Sequence, residues 1–143
     1  MPTKIYQEIE FPSTCRQAKI AEDRVIEATR ACKYTEEDIF ALRLSMEEAL
    51  LNAIRHGNTK DQQKRITLRY CVTEQQIDIY VADEGSGFDP MKIADPTLPE
   101  NLERPNGRGV MLMRAYMNLV EYNDIGNVVH MVKLNSQAPK PNG

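Results

Sequence analysis

SMEEALLNAIRHGN, from Ser45 to Asn58, sets polar residues at regular intervals into an apolar helical stripe. Met46, Ala49, Leu50 and Ala53 repeat at the spacing of a buried helix face, while Glu48, Asn52 and His56 recur four residues apart beside them. Residues four apart share one helix face, so the three polar groups form a row. Such a row is either a solvated edge or the wall of a site. An Asn side-chain oxygen suits magnesium, which takes one or two protein oxygens together with substrate phosphates. A carboxylate one turn earlier stands where a general base would accept a proton from a hydroxyl or water. Glu47 reads as solvent-facing and His56 as a helix-end or packing residue, so Glu48 and Asn52 carry the interest.

Working outward, Thr35 to Asp38 forms a variant capping box that opens this helix, and Ile39 and Leu42 extend its buried stripe. Gly57 ends it, as a glycine tolerant of positive φ does. Upstream, Ile5, Gln7, Ile9 and Phe11 suggest an opening strand, and Ser13 or Thr14 caps a first helix reaching about Lys33, with Ala18, Ala21, Val25, Ala28 and Cys32 at helical spacing. Downstream, Ile66, Leu68, Tyr70 and Val72, then Ile77, Ile79 and Val81, alternate with polar neighbours. They read as an antiparallel hairpin with one face on the core. Residues 88–106 are irregular and hold four of the eight prolines, the mark of a functional lid or a mobile segment. A third helix is expected after Gly109, with Val110, Met113, Met117 and Val120 on one side, and a last strand from Val128 to Leu134. The order predicts an α/β two-layer sandwich: a mixed, mostly antiparallel sheet with helices on one face. A single domain over residues 1–135 is expected, followed by a frayed tail over 136–143.

Bulk properties narrow the function. At 143 residues with 41% hydrophobic and 27% charged residues, the chain suits one globular core. A net charge of −3 argues against nucleic acid as a direct partner. Cys15, Cys32 and Cys71 are scattered, which suits reduced thiols and gives a zinc site little support. No signal-peptide pattern or membrane-length apolar run is present, so the expectation is a cytoplasmic protein with no membrane association.

Two glycine pairs add chemistry. Asp83 continues the series Ile77, Ile79, Val81, so its carboxylate points to the apolar face at the strand end. A carboxylate there needs a donor, and Gly85-Ser86-Gly87 lets another molecule approach the backbone. A simple strand-end turn, with Asp83 capping backbone amides, fits equally well. Gly107-Arg108-Gly109 stands directly before the expected third helix. Exposed amides at a helix N-terminus favour anions, and Arg108 could add a forked contact. By itself this GxG fits a plain helix start with an exposed arginine. Walker A, GxGxxG and protein-kinase signatures are absent.

In combination and in this order, EEALLNAIRHGN (47–58), DEGSGFDP (83–90) and NGRGVMLMR (106–114) resemble the GHKL ATPase superfamily, with its N-box and two glycine boxes. DPTLPENLERP (95–105) is similar to the lid of one branch, the anti-sigma factor serine/threonine kinases. The resemblance implies a Bergerat ATP-binding fold. It implies Asp83 as reader of the adenine amine, Gly85 and Gly87 as room for base and ribose, and Asn52 as the Mg2+ ligand. Glu48 would be the catalytic base, and Gly107, Arg108 and Gly109 would wrap the phosphates of ATP. One departure stands out: Gly126-Asn127-Val128 occupies the place where the family often has Gly-Thr, so Asn127 or a water would take over beside adenine.

Histidine kinases usually carry Asn in place of Glu48 and need a helical hairpin with a phosphoacceptor His. Gyrase, mismatch-repair and chaperone members need a transducer domain that this length leaves no room for. The expectation is therefore a stand-alone kinase that binds Mg-ATP, phosphorylates a STAS-type anti-anti-sigma partner and sequesters a sigma factor or similar regulator. Homodimerisation is typical of that branch. The alternative is an ATP-gated binding module with little kinase activity, although a pure binder has no use for a base at Glu48.

Overall fold

The computed structural model describes residues 4–59, 61–85 and 105–137, with backbone alone at His56 and residues 105–108. The lid expected over 88–106 therefore lies outside the described residues up to 104, as does Gly87.

Strand β1 (Gln7–Pro12) leads into α1 (Cys15–Ala31) and α2 (Glu36–Asn52). Both helices start as the sequence dictates. Thr14 Oγ1 accepts the Gln17 N–H at 3.2 Å and Thr35 Oγ1 accepts the Asp38 N–H at 3.0 Å, each satisfying a donor that a helix start leaves open. The Asp38 carboxylate is committed elsewhere: it accepts the backbone N–H and hydroxyl of Ser136 at 3.0 and 2.8 Å. Those bonds tie Ser136, just past the last strand, to the first turn of α2.

After Asn52 the helix widens into one π-helical turn, Ala53–Gly57. Such turns are rare and concentrate at functional sites. The hairpin β2 (Arg65–Val72) and β3 (Gln76–Asp83) follows, then α3 (Pro105–Tyr116), β4 (Leu119–Tyr122) and β5 (Val128–Leu134). Two expectations need correction. Helix α3 begins at Pro105, so Gly107, Arg108 and Gly109 lie within its first turns instead of before it; proline's fixed φ favours the first helical position. Val120 belongs to β4, an edge strand of four residues that is too short to reveal a period of two.

The sheet order is β1-β2-β3-β5-β4, and among the described residues every pairing is antiparallel, without the mixed element of the expectation. Leu68 faces Val81 and Val81 faces Val129, while Asp83 stands opposite Ile66. Alternation puts these residues on one face, where they meet the buried faces of all three helices. Leu42, Met46, Ile66, Leu68, Ile79, Met113 and Met131 are fully enclosed there. Each such side chain stabilises the fold by about 1.5–3 kcal/mol through burial. In α1 the buried positions also include Glu22 and Thr29. Thr29 Oγ1 donates to Val25 O, and one Glu22 oxygen is held by Lys19 and Arg43.

The reverse face of the sheet carries no helix among the described residues. Its centre is a polar-aromatic rung, Arg69, Tyr80 and His130, with the His130 ring stacked on Tyr80 at 4.2 Å and the Arg69 guanidinium 4.5 Å above Tyr6. Asp78 is buried beside it and accepts from Lys4, Gln76 and His130 at 3.1, 2.8 and 3.1 Å.

Candidate functional site

The cleft lies where α2 and its π turn meet the ends of β3 and β5 and the first turns of α3. Asn52, Gly57, Val81, Asp83, Tyr122 and Asn127 line it. Helix α2 delivers Glu48 and Asn52 from one face, as their spacing requires, and α3 brings backbone against them. A Cβ placed on Gly109 would lie 2.9 Å from Glu48 Oε2 and 3.2 Å from Asn52 Nδ2. A side chain at this position would push the ends of Glu48 and Asn52 out of place.

Burial, and then the neighbouring Glu47 charge, push the Glu48 carboxyl above its ordinary value, with Arg55 acting in the opposite sense. Glu47 itself is half exposed and lies 3.8 Å from Lys19, in keeping with a solvent-facing reading. Asn52 is buried, with its Nδ2 beside the Gly109 backbone. Tyr122, from β4, stands beside it. Burial pushes its phenol up to about 12, against a hydrogen bond with Asn52.

Asp83 closes the other end of the cleft. Its Oδ1 accepts the Gly85 N–H at 2.7 Å, so the turn-capping role is real. Burial raises its carboxyl, opposed by that N–H and by Lys64. The capping bond occupies one lone pair and leaves the carboxylate on the core-face phase of β3. Gly57 packs directly on it: a Cβ there would overlap Asp83 Oδ2 and Cγ, and a Cβ on Gly85 would overlap the Gly57 carbonyl. The positive-φ role expected for Gly57 is not what the backbone uses; among the described glycines, Gly126 is the one at positive φ, 87°. Gly57 is required by the approach of Asp83.

Asn58, fully buried, ties the end of the π turn to β2 and to the residue after β3. Its Oδ1 accepts from Glu84 N at 2.8 Å and its Nδ2 donates to Arg65 O at 3.1 Å. Asn127, at the departure from the family pattern, donates from Nδ2 to Gly85 O at 3.3 Å, and its carbonyl accepts the Asp83 N–H at 2.9 Å. Asn127 thus supports the Asp83 turn.

Asn52 and Asp83 line one cleft; Glu48 and Gly109 meet beside Asn52, Gly85 backs onto Gly57, and Gly107 lies in the helix turn before Gly109. The side chain of Arg108, that of His56, and Gly87 lie outside the described residues. Sequence reasoning missed Tyr122 and the anchoring role of Asn58. Asn58 stood inside the quoted motif, but nothing in its spacing shows that its amide spans two strands; Tyr122 had no signal at all. No group of three or more His, Cys, Asp or Glu able to hold a metal occurs among the described residues. Nor is any helix among them long and apolar enough to cross a membrane.

Comparison with known proteins bears on the family and the fold. The profile of the histidine kinase-like ATPase domain matches residues 11–133. The chain is 30% identical to the serine/threonine-protein kinase BtrW of Bordetella bronchiseptica over 103 residues, 71% of this chain and 72% of that protein. It is 27% identical over 133 residues to the serine-protein kinase RsbW of Oceanobacillus iheyensis, covering 89% of this chain and 84% of the relative. For RsbW of Bacillus subtilis the identity is 33% over 107 residues, 70% of this chain and 67% of the relative. A crystal structure of the RsbU and RsbW domains of a Mycobacterium tuberculosis protein superposes with a TM-score of 0.63 at 15% identity, a likeness of fold. That match covers 99% of this chain and 35% of the other.

Proposed function

The chain belongs to the histidine kinase-like ATPase domain family, and from that premise we propose that it is an ATP-dependent serine/threonine protein kinase of the anti-sigma type. The observation that carries the proposal is the convergence of Glu48 and Asn52 on the α3 backbone at Gly109, Asn52 also lining the cleft that holds Asp83. A cleft that only held a nucleotide would need no carboxylate with a raised proton affinity at that point.

The residues fit Mg-ATP. Asn52, buried beside Glu48 and Gly109, would offer its side-chain oxygen to a metal that draws its other ligands from phosphates and water. Gly109 lets the α3 backbone lie close against Glu48 and Asn52, and Gly107 and Arg108 precede it in the same turns. When bound, Mg-ATP supplies the transferable phosphoryl group with its charge partly neutralised. Asp83 accepts a hydrogen bond from the exocyclic amine of adenine, while Gly85 and Gly87 give room to base and ribose and Asn127 holds the turn. Glu48 accepts, at Oε2, the proton of the acceptor serine or threonine hydroxyl. Its raised proton affinity moves it toward the working pH, where a general base is most effective, worth about 10²–10⁴ in rate. The relatives' names, serine-protein kinase RsbW and serine/threonine-protein kinase BtrW, support the acceptor class. The resemblance of the three boxes and the lid to the anti-sigma branch adds a STAS-type anti-anti-sigma protein as acceptor and a sigma factor or similar regulator as sequestered partner, and the reading places the protein in the cytoplasm.

A homodimer completes the proposal. The helix-free sheet face, with Tyr80 and His130 at its centre, is the surface available for a second copy, and Tyr80→Glu should yield a monomer by light scattering. The decisive assay incubates γ-labelled Mg-ATP with a panel of STAS-domain proteins and compares wild type with Glu48→Gln. Retained ATP binding with transfer lost in the variant supports the kinase; no transfer by wild type to any panel member refutes it and leaves a nucleotide-gated binding module.

A further inference from the structure

Helices α2 and α3 form an antiparallel pair whose outer seam is apolar. At one end Phe40 and Tyr116, 58% and 40% exposed, meet edge to face with ring centroids 6.0 Å apart. At the other end, Gly109 abuts Glu48. Between these points helical spacing places Leu44 on the α2 side, in the series Phe40, Leu44, Glu48, and Leu112, 37% exposed, on the α3 side, in the series Tyr116, Leu112, Gly109. The eight residues from Phe40 to Glu48 span about 12 Å at 1.5 Å each. An exposed aromatic and aliphatic stripe of this length is uncommon on a protein without a partner for it, and this one ends at the proposed base.

The far end of the seam is acidic. Glu36, Glu37 and Asp38 form the first turn of α2 and border the hollow that Phe40 and Tyr116 also line. Asp38 is turned inward to Ser136 and Lys133, and Glu36 pairs with Arg30. Glu37 has no ion pair among the described residues. The complement of this surface is a segment with a hydroxyl at one end, an apolar side chain in the middle and a lysine or arginine at the other end. Glu37 and Glu48 stand eleven positions apart on α2, about 16 Å at 1.5 Å each, which corresponds to about five residues of extended chain or three helical turns.

We propose that the α2–α3 seam is the docking track for the phosphoacceptor protein, seating such a segment so that its hydroxyl reaches Glu48 Oε2. The inference rests on the kinase reading above and adds the surface by which the acceptor is held and the chemistry of the segment it recognises. Removing apolar contacts from the track weakens acceptor binding without touching nucleotide or base. The effect therefore falls on the KM for acceptor and leaves kcat at saturation alone.

The test uses the full chain, Mg-ATP and whichever STAS-domain protein of the panel wild type phosphorylates. Phe40→Ser and Leu112→Ser should each raise the acceptor KM by about tenfold, the scale of a lost interface anchor, with kcat and ATP affinity within about twofold. Glu37→Lys should raise KM by about threefold at low ionic strength. Ile20→Ser, on α1 and 47% exposed, removes a comparable apolar side chain elsewhere and should leave KM unchanged. A KM within about twofold of wild type in both seam variants, or an equal rise in Ile20→Ser, overturns the docking track while the kinase reading stands. Absence of transfer by wild type overturns both.

Discussion

Gly57→Ala is the smallest change that separates the two things Asp83 is asked to do. The added Cβ overlaps the Asp83 carboxylate, so the carboxylate must rotate or β3 must retreat from the π turn. Rotation breaks the 2.7 Å bond from Gly85 N–H and removes the acceptor from its place in the cleft. Overpacking at such a contact costs about 1–3 kcal/mol of stability, roughly 3–5 °C of Tm for each kcal/mol in a chain of this size. Losing a hydrogen bond to a charged group costs about 1.5–3 kcal/mol, so ATP affinity should fall roughly 10- to 150-fold. Calorimetric titration with ATP, at a temperature where both proteins are folded, measures this. A double-mutant cycle with Asp83→Asn isolates the cause: if Gly57→Ala acts through the carboxylate, the two changes couple by about 1 kcal/mol or more. Wild-type ATP affinity in a folded Gly57→Ala protein, or strict additivity in the cycle, would refute Asp83 as the adenine reader in the position it occupies.

Other expectations follow from neighbouring residues. Glu48 must be ionised to act as a base, so transfer falls as pH drops through its raised pKa. Glu47→Gln removes a like charge and should move that acid limb to lower pH in a kcat–pH profile, whereas an unmoved limb assigns the titration to another group. Asn58→Ala strands Glu84 N–H and Arg65 C=O and should cost about 2–5 kcal/mol in urea unfolding; a loss below ~1 kcal/mol would show that water replaces the amide. At Asp78 burial raises the carboxyl, but hydrogen bonds from Gln76, His130 and Lys4 outweigh it and leave the pKa below the ordinary value. A carboxyl with a lower pKa folded than unfolded contributes stability that is whole above the unfolded value of about 3.9 and is lost as pH falls through the folded value. Asp78→Asn should therefore lower Tm at neutral pH and shrink the acid-induced drop below about pH 4; parallel Tm curves would contradict it.

Much of the site was legible because helical and strand periodicities convert directly into faces. Glu48 and Asn52 stand on one face because they are four residues apart, and Asp83 lies on the core phase because it extends Ile77, Ile79 and Val81. The glycines were legible as glycines but not as to purpose. Gly57 suggested a helix end in the left-handed region; its actual role, clearance for a carboxylate 26 positions downstream, is a long-range contact that no local pattern encodes. The start of α3 was misplaced for a related reason: glycines suggested a loop, while Pro105 and packing against α2 favoured helix.

The sequence by itself determined the helix starts at Thr14 and Thr35, the hairpin, the buried stripe of α2 and the presence of its polar row. These follow from hydrogen-bond geometry and periodicity within a few residues. Only the tertiary structure decided what the row faces. It placed Gly109 against Glu48, folded Asn58 between two strands, brought Tyr122 from an unforeseen edge strand to Asn52, and joined the stripes of α2 and α3 into one seam. Those outcomes depend on close packing between segments far apart in the chain, where a single Cβ more or less decides whether two backbones can meet.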